Sequence, residues 1–402
     1  MNSDVNVKIL GIGHAGINIV NALSQFAESA WLKIAAVDTD KLFINNKEIT
    51  VPIKFLIGEE WTDGLGCGGN IIKGERAIAH KSNMQLKEFV SDASLLITVG
   101  GFGGGTATGG MPVILRMAKE KNIPTLTVVT IPFAFEGHSK RDIAEKQISQ
   151  ILKTSNTIIP IPNDLLYDSM PSSASFEAAF TKANTEVALS VLGLAELLRC
   201  TNLIPIDLCD LHNAVSKAKS FCSVGTGISD GNDESLPRTH SALQKALESP
   251  LLGGIQKIKN ADALIISLTG DSKLTIGEVK HTLNNITKLV NVNTEIVVGA
   301  NSDLLYQNKV QITILSIKYE ESLQESTQVD TIPKIQDKKS ISNIIKDIKF
   351  LTKSEKQQQE LPFINQTRGY FSNTSPSIYY GIDIDIPTFQ RENKTIDNIT
   401  KL

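Results

Sequence analysis

Short apolar, β-branched runs recur through the first half of the chain: VKILGIG (7–13), KIAAVD (33–38), ASLLITVGG (93–101), TLTVVTIP (125–132) and NTIIPIP (156–162). Each run is nearly continuous rather than alternating, which is the pattern of a strand buried on both faces. Between them, stretches 17–27, 72–90, 110–121 and 139–153 read as helices. Strands alternating with helices predict βαβ units and a parallel sheet covered on both sides. Ligands of such sheets sit beyond the carboxyl ends of the strands, in the loops that lead into the helices.

Residues 174–199 carry the clearest helical periodicity, with Phe176, Ala179, Phe180, Ala183 and Val187 on one stripe. The second half of this stretch is apolar on nearly every side, as in a helix buried between two layers. It is expected to be a long central helix joining two domains. Further strands at 263–270, 294–301 and 310–317 predict a smaller α+β domain over 200–318. From 319 the chain turns to Lys, Gln, Ser, Asn and Thr, which predicts a flexible linker over 319–378, with 343–351 as a possible short helix. The last segment, 379–402, interrupts that polarity with the apolar patch IDIDIPTFQR at 382–391.

Composition adds exclusions. With 402 residues and 41% hydrophobic residues the chain can build a large core. A net charge of −3 gives no electrostatic case for nucleic acid or an anionic membrane. No apolar run approaches the ~20 residues of a membrane helix, and the start, MNSDVNVKI, lacks a signal peptide's apolar core. A cytoplasmic location is expected. Cys67, Cys200, Cys209 and Cys222 form no CxxC pair, and the six histidines are scattered, so neither a disulfide framework nor a metal site is expected.

The chemistry is concentrated in glycine loops at the predicted strand ends. GIGHAG (11–16) fits GxGxxG between a strand and a helix, with Asp38 at the end of the next strand. Alone it reads as a dinucleotide fingerprint, with the acid on a ribose, or as a tight turn with no ligand. Three more such loops follow: DGLGCGGN (63–70), GFGGGTATGG (101–110) and PFAFEGHSKR (132–141). A dinucleotide enzyme needs only the first, and no GxxxxGK[ST] motif is present. Glycine loops at successive strand ends can enclose one polyphosphate from both sides, so nucleotide binding is expected.

At these residues the chain resembles the tubulin/FtsZ family. GGGTATG (103–109) differs at one position from the family signature GGGTGTG. Around it lie, in family order, GIGHAGIN, DTD (38–40), GLGCGGN (64–70), PFAFEG (132–137), IPND (161–164), FTKAN (180–184), SPLL (249–252) and IDIPTF (384–389). The resemblance covers about 1–318 and the final segment. It implies an α/β fold: a parallel-sheet, Rossmann-like GTPase domain (1–173), the central helix (174–199), a C-terminal polymerisation domain (200–318) and a flexible tail.

By that resemblance the ligand is GTP or GDP with Mg²⁺ on the phosphates. Gly13, His14, Ala15, Gly16, Ile17 and Asn18 would lie on the α/β-phosphate side, with Gly66 and Gly68 on the neighbouring loop. Gly103, Gly104, Gly105, Thr106, Ala107 and Gly109 would wrap the β/γ-phosphates. Glu136 and Asn163 would stand at the ribose, with Lys140 where the family usually has an arginine. Asn184 would face the guanine, and Thr185 stands at the position of a base-facing aspartate. Family members hydrolyse GTP between subunits of a head-to-tail homopolymer, through an NxDxxD loop that here reads Pro205-Ile-Asp207-Leu-Cys-Asp210. Asp207 and Asp210 are thus the candidate catalytic carboxylates. Ile384, Asp385, Ile386, Pro387 and Phe389 resemble the tail peptide that docks on membrane-tethering and regulatory division proteins, which places the action at mid-cell. His14, Ala107, Lys140, Thr185 and Pro205 depart from the family pattern and imply slower turnover and weaker guanine contact. A structural or regulatory filament with little or no hydrolysis is the alternative.

Overall fold

Lys8 is the one charged residue inside the first apolar run, and its environment defines the sheet's burial. It is 2% exposed, donates to the Phe89 carbonyl at 2.7 Å and pairs with Asp92 at 3.0 Å, so its charge is met at the sheet margin. The residues around it are buried on both faces. Val7 and Ile9 join the core beneath one set of helices, while Leu10 and Ile12 join the core beneath the other.

The protein is represented by a computed structural model that describes residues 6–26, 31–80, 83–152, 154–155, 157–168, 175–197, 204, 206, 208–216, 220–229, 237–303, 306–319, 378–379 and 382–383. It divides into two units, 1–352 and 353–402. The first unit is built on ten strands: β1 (Val7–Ile12), β2 (Leu32–Asp38), β3 (Ile53–Leu56), β4 (Leu95–Gly101), β5 (Thr125–Ile131), β6 (Thr157–Pro162), β7 (Ser220–Ser229), β8 (Ala263–Gly270), β9 (Glu295–Ser302) and β10 (Val310–Tyr319). Their order in the sheet is β3-β2-β1-β4-β5-β6-β7-β10-β8-β9.

The strands from β3 to β6 are all parallel. Among the described residues β6 then meets β7 through two residue pairs, Thr157 with Ser220 and Ile158 with Phe221. Beyond that narrow seam β10 runs antiparallel to both β7 and β8, and β9 returns parallel to β8. The expected α/β and α+β domains are therefore both present, joined through one sheet. Thr157 reinforces the seam, its hydroxyl donating to the Val215 carbonyl at 2.6 Å and lying 3.1 Å from the Ser220 hydroxyl.

Helices Gly13–Ser24 and Phe176–Glu196 cover one face of the parallel part, and Ile71–Ala79, Thr106–Glu120 and His138–Ile151 cover the other. Arg238–Leu247 and Ile276–Thr287 cover the mixed part. The central helix is capped by Ser175, whose hydroxyl accepts the Ala178 N–H, and its residues 187–188 and 190–196 are buried. At its end the buried Glu196 carboxylate accepts the Thr269 hydroxyl at 2.5 Å and the Tyr306 hydroxyl at 3.3 Å, tying the helix to the C-terminal strands.

Several boundaries differ from the sequence reading. The expected helix 72–90 is two helices, Ile71–Ala79 and Met84–Ser91, because Asn83 turns back to donate to the carbonyls of Ala77 and Ile78. The helix of GIGHAG starts at Gly13 rather than 17, and the helix of GFGGGTATGG starts at Thr106 rather than 110. These two glycine loops are therefore helix N-termini. In the second unit Ile378–Tyr379 pairs antiparallel with Ile382–Asp383. The tail residues Ile384, Asp385, Ile386, Pro387 and Phe389 lie outside the described residues, as do Pro205 and Asp207. No helix among the described residues is long and apolar enough to cross a membrane.

Candidate functional site

β1 lies between β2 and β4, so the chain leaves the sheet in opposite directions on its two sides, and a crevice opens where the connections diverge. A cavity of about 500 Å³ occupies that position over the carboxyl ends of β1, β2, β4, β5 and β6. Two helices start at its wall, Gly13–Ser24 and Thr106–Glu120, and neither has a side-chain cap on its first N–H groups. By contrast, Asn70, Ser175 and Thr275 cap other helices with their side chains. Two uncapped N-termini facing one cavity present free N–H donors and partial positive charge to whatever enters it.

The glycines divide into those that shape the wall and those that leave it open. Gly13 has φ +67°, a backbone that side chains rarely adopt, and it starts its helix against Ala107. A Cβ on Gly16 would lie 2.3 Å from the Val99 carbonyl oxygen, so this glycine lets the helix press onto β4. A Cβ on Gly105 would meet Cys67 at 2.4 Å, whereas one on Gly104 or Gly68 would meet nothing within 4 Å. Gly104 and Gly68 thus expose bare backbone to the cavity. Gly109 serves packing: a Cβ there would lie 2.0 Å from the Ile71 oxygen, where the two helices cross.

Thr106 stands at the head of its helix with its hydroxyl 2.8 Å from that of Thr39 and 3.4 Å from Asp38. Asp38 is 2% exposed, and burial pushes its carboxyl above the ordinary value while His14 opposes that shift. A dinucleotide fingerprint would need this acid open to a ribose, and here it lies buried close to the His14 ring. Across the cavity, Glu136 accepts the Phe133 N–H at 3.1 Å and pairs with Lys140 at 3.5 Å. Arg141 bonds Asp164 at 2.8 Å, and Asp164 also accepts the Ala134 N–H, which fastens this loop to the helix Asn163–Asp168.

Of the residues singled out from the sequence, Gly13, His14, Ala15, Gly66, Gly68, Gly103, Gly104, Gly105, Thr106, Ala107, Glu136, Lys140 and Asn163 line the cavity together. Gly16 and Ile17 are buried beneath it, Asn18 is exposed on the next turn, and Gly109 sits in the helix crossing. Asn184 and Thr185 are half-buried on the central helix, and the Thr185 hydroxyl bonds back to the Thr181 carbonyl at 2.8 Å. Asn184 shares a face with Phe180, one turn nearer the cavity, which does line it. Asp210 is exposed in the first turn of the helix Leu208–Ser216, outside the cavity.

Sequence reasoning passed over Asp40, Leu65, Cys67 and Thr130 as lining residues, and Phe180 as a cavity residue. In the sequence Phe180 stands out as part of an apolar stripe and of FTKAN, neither of which marks it as facing a cavity. Its ring meets Phe133 edge-on at 5.2 Å, and Phe133 stacks on Phe135 at 4.8 Å, which builds an aromatic wall at the Asn163 end.

Comparison with known proteins finds the same two-part organisation. The model of the GTPase domain of the Tubulin/FtsZ family matches residues 6–171, and that of the FtsZ family C-terminal domain matches 221–318. The cell division protein FtsZ of Buchnera aphidicola subsp. Baizongia pistaciae (strain Bp) is 31% identical over 316 residues, covering 79% of this chain and 80% of that protein. The cell division protein FtsZ of a Wolbachia species is 30% identical over 322 residues, covering 77% and 78%. Among solved structures, the empty FtsZ dimer of M. jannaschii superposes with a TM-score of 0.70 at 28% identity, over 83% of this chain and 96% of that one. The two matched domains fall on either side of the central helix, in the order the sheet requires, and the chain belongs to the FtsZ family of tubulin-like GTPases.

Proposed function

We propose that this chain is a GTP-binding, filament-forming cell-division protein that hydrolyses GTP at the interface between successive subunits. The observation that carries this reading is the pair of uncapped helix N-termini, Gly13–Ser24 and Thr106–Glu120, opening onto one glycine-walled cavity. Backbone N–H groups of 13–15 and 104–107 replace water around a polyphosphate, and the Thr106 hydroxyl can turn from Asp38 to add a donor. Lys140 supplies positive charge at the ribose side beside Glu136. Phe180 and Asn163 meet the base and ribose, with Asn184 one helical turn beyond.

Among the described residues no three His, Cys, Asp or Glu side chains converge on a metal-sized site. The described residues therefore offer Mg²⁺ no cage of their own, and the ion would be held there by phosphate and water.

Hydrolysis needs a group that orients or deprotonates water opposite the terminal phosphate. Asp210 lies outside its own chain's cavity and is exposed, so in this reading it acts on the nucleotide of the next subunit, with Asp207 beside it in sequence. Leu65 and Phe180 line the cavity yet are 73% and 41% exposed, apolar area that a second copy would cover. Pro205, where the family has an asparagine, favours a second reading in which the filament forms but turns GTP over slowly. The segment Ile384–Phe389 recruits membrane-tethering and regulatory partners at mid-cell.

Competition against a fluorescent guanine nucleotide tests the ligand. GTP and GDP displace the probe, and displacement by NAD in preference to GTP would overturn the reading.

A further inference from the structure

The Asp38 carboxylate carries an unanswered charge. It is 2% exposed and lines the cavity, yet its Oδ2 accepts no hydrogen bond. Its other oxygen accepts the Thr39 N–H at 2.7 Å and the Thr106 hydroxyl at 3.4 Å. His14 Nε2 stands 3.7 Å from the unbonded oxygen and 3.3 Å from Asp40 Oδ2. Asp40 uses its Oδ1 to cap the helix Lys41–Ile44 at Leu42 and Phe43, which leaves Oδ2 for the imidazole. Phe43 packs on the His14 ring at 3.9 Å between centroids, holding it over both acids, while 55% of the side chain remains exposed.

Two carboxylates therefore stand beside a cavity built for an anion, and a neutral imidazole does not offset them. An imidazolium does, by donating toward Asp40 and Asp38 and adding positive charge beside the helix N-terminus. The other titratable groups of the cavity are otherwise engaged. Glu136 and Lys140 pair with each other on one wall, Cys67 lies buried against the Thr39 and Thr106 hydroxyls, and Lys41 pairs with Glu59 at 3.1 Å.

We propose that His14 is the counter-charge of this cavity, binding as imidazolium between Asp38, Asp40 and the phosphates, so that nucleotide binding takes up a proton. The inference rests on the guanine-nucleotide reading and adds to it a regulation by pH at the same site. The phosphates stabilise the imidazolium, so the complex favours the protonated ring. Affinity is then highest at low pH and falls as pH rises through the imidazole range. The buried Asp38 carboxyl titrates in the same sense, so the test turns on variants of His14 and Asp40.

Calorimetric titration of the full chain with GDP, from pH 6 to 8.5 and in buffers of different ionisation enthalpy, reads the affinity and the proton count together. GDP affinity falls about tenfold from the low to the high end of that range, with net proton uptake near its middle. His14→Gln flattens the profile and abolishes the uptake, and Asp40→Asn moves the midpoint to lower pH. A His14→Gln variant that keeps the wild-type slope, or a wild-type protein that binds GDP without proton uptake, overturns this proposal alone. Absence of GDP binding at every pH overturns the guanine-nucleotide reading with it.

Discussion

Gly104 and Gly105 are neighbours with opposite tasks. A methyl at 104 meets nothing within 4 Å and enters the cavity, whereas a methyl at 105 lands 2.4 Å from Cys67 and 2.9 Å from the Asn70 oxygen. Gly104→Ala should therefore leave the melting temperature unchanged while weakening nucleotide binding about tenfold or more, by holding phosphate off the backbone donors. Gly105→Ala should destabilise the fold by about 1–3 kcal/mol through forced repacking against the 63–70 loop. Thermal denaturation alongside nucleotide titration separates the two, and equal melting losses would contradict the assignment. The sequence GGGTATG shows that glycines are needed here but not which of them face ligand. Gly109 illustrates the limit, since its reason is the Ile71 carbonyl on a helix distant in sequence. The pairing of His14 with Asp38 and Asp40 was equally hidden, because residues on two adjacent strand ends meet only once the sheet is registered.

At the scale of elements, the C-terminal domain is clasped by Arg238 at the start of helix Arg238–Leu247. Its guanidinium bonds Asp271 at 2.8 Å and Glu278 at 2.8 Å, joining the loop after β8 to the helix Ile276–Thr287. Burial pushes both carboxyls up, but the Arg238 hydrogen bonds and nearby backbone N–H groups outweigh it and hold both below their ordinary values. Depressed acid titrations contribute stability that is present above those ordinary values and is lost as pH falls through the lowered ones. Arg238→Gln should cost about 2 kcal/mol at pH 7, with the gap to wild type narrowing toward pH 3.5. Calorimetric melting at both pH values checks this, and a constant gap would contradict it. The periodic elements of this domain were legible: β8 spans 263–270 as its apolar run predicted. β7, SFCSVGTGIS, was not, because Gly225 and Gly227 interrupt the strand pattern. Their reason is tertiary, since a Cβ at either would lie 2.3 or 2.1 Å from carbonyls of helix Arg238–Leu247. β3 is four residues long, too short for a periodic signal.

For the whole molecule, the sequence order of the loops already implied one cavity, because successive strand ends of a parallel sheet share an edge. In the proposed function the single chain leaves the catalytic half incomplete: the cavity is lined from the first domain and the central helix, while the candidate carboxylate Asp210 stands in the second, exposed. Asp210→Ala should bind GTP normally and pellet with it, but release phosphate at least tenfold more slowly. Pro205→Asn, restoring the family amide, should release it faster than wild type. Removing 380–402 should leave pelleting intact and abolish recruitment to division partners, measured by co-sedimentation; full recruitment without the tail would contradict its role. The central claim is that each site is completed by a neighbouring subunit. Phosphate release per chain, followed over a range of protein concentrations in GTP, tests it most directly. A rate that is near zero below a threshold concentration and rises above it is the predicted result, and a rate per chain independent of concentration would contradict the shared site.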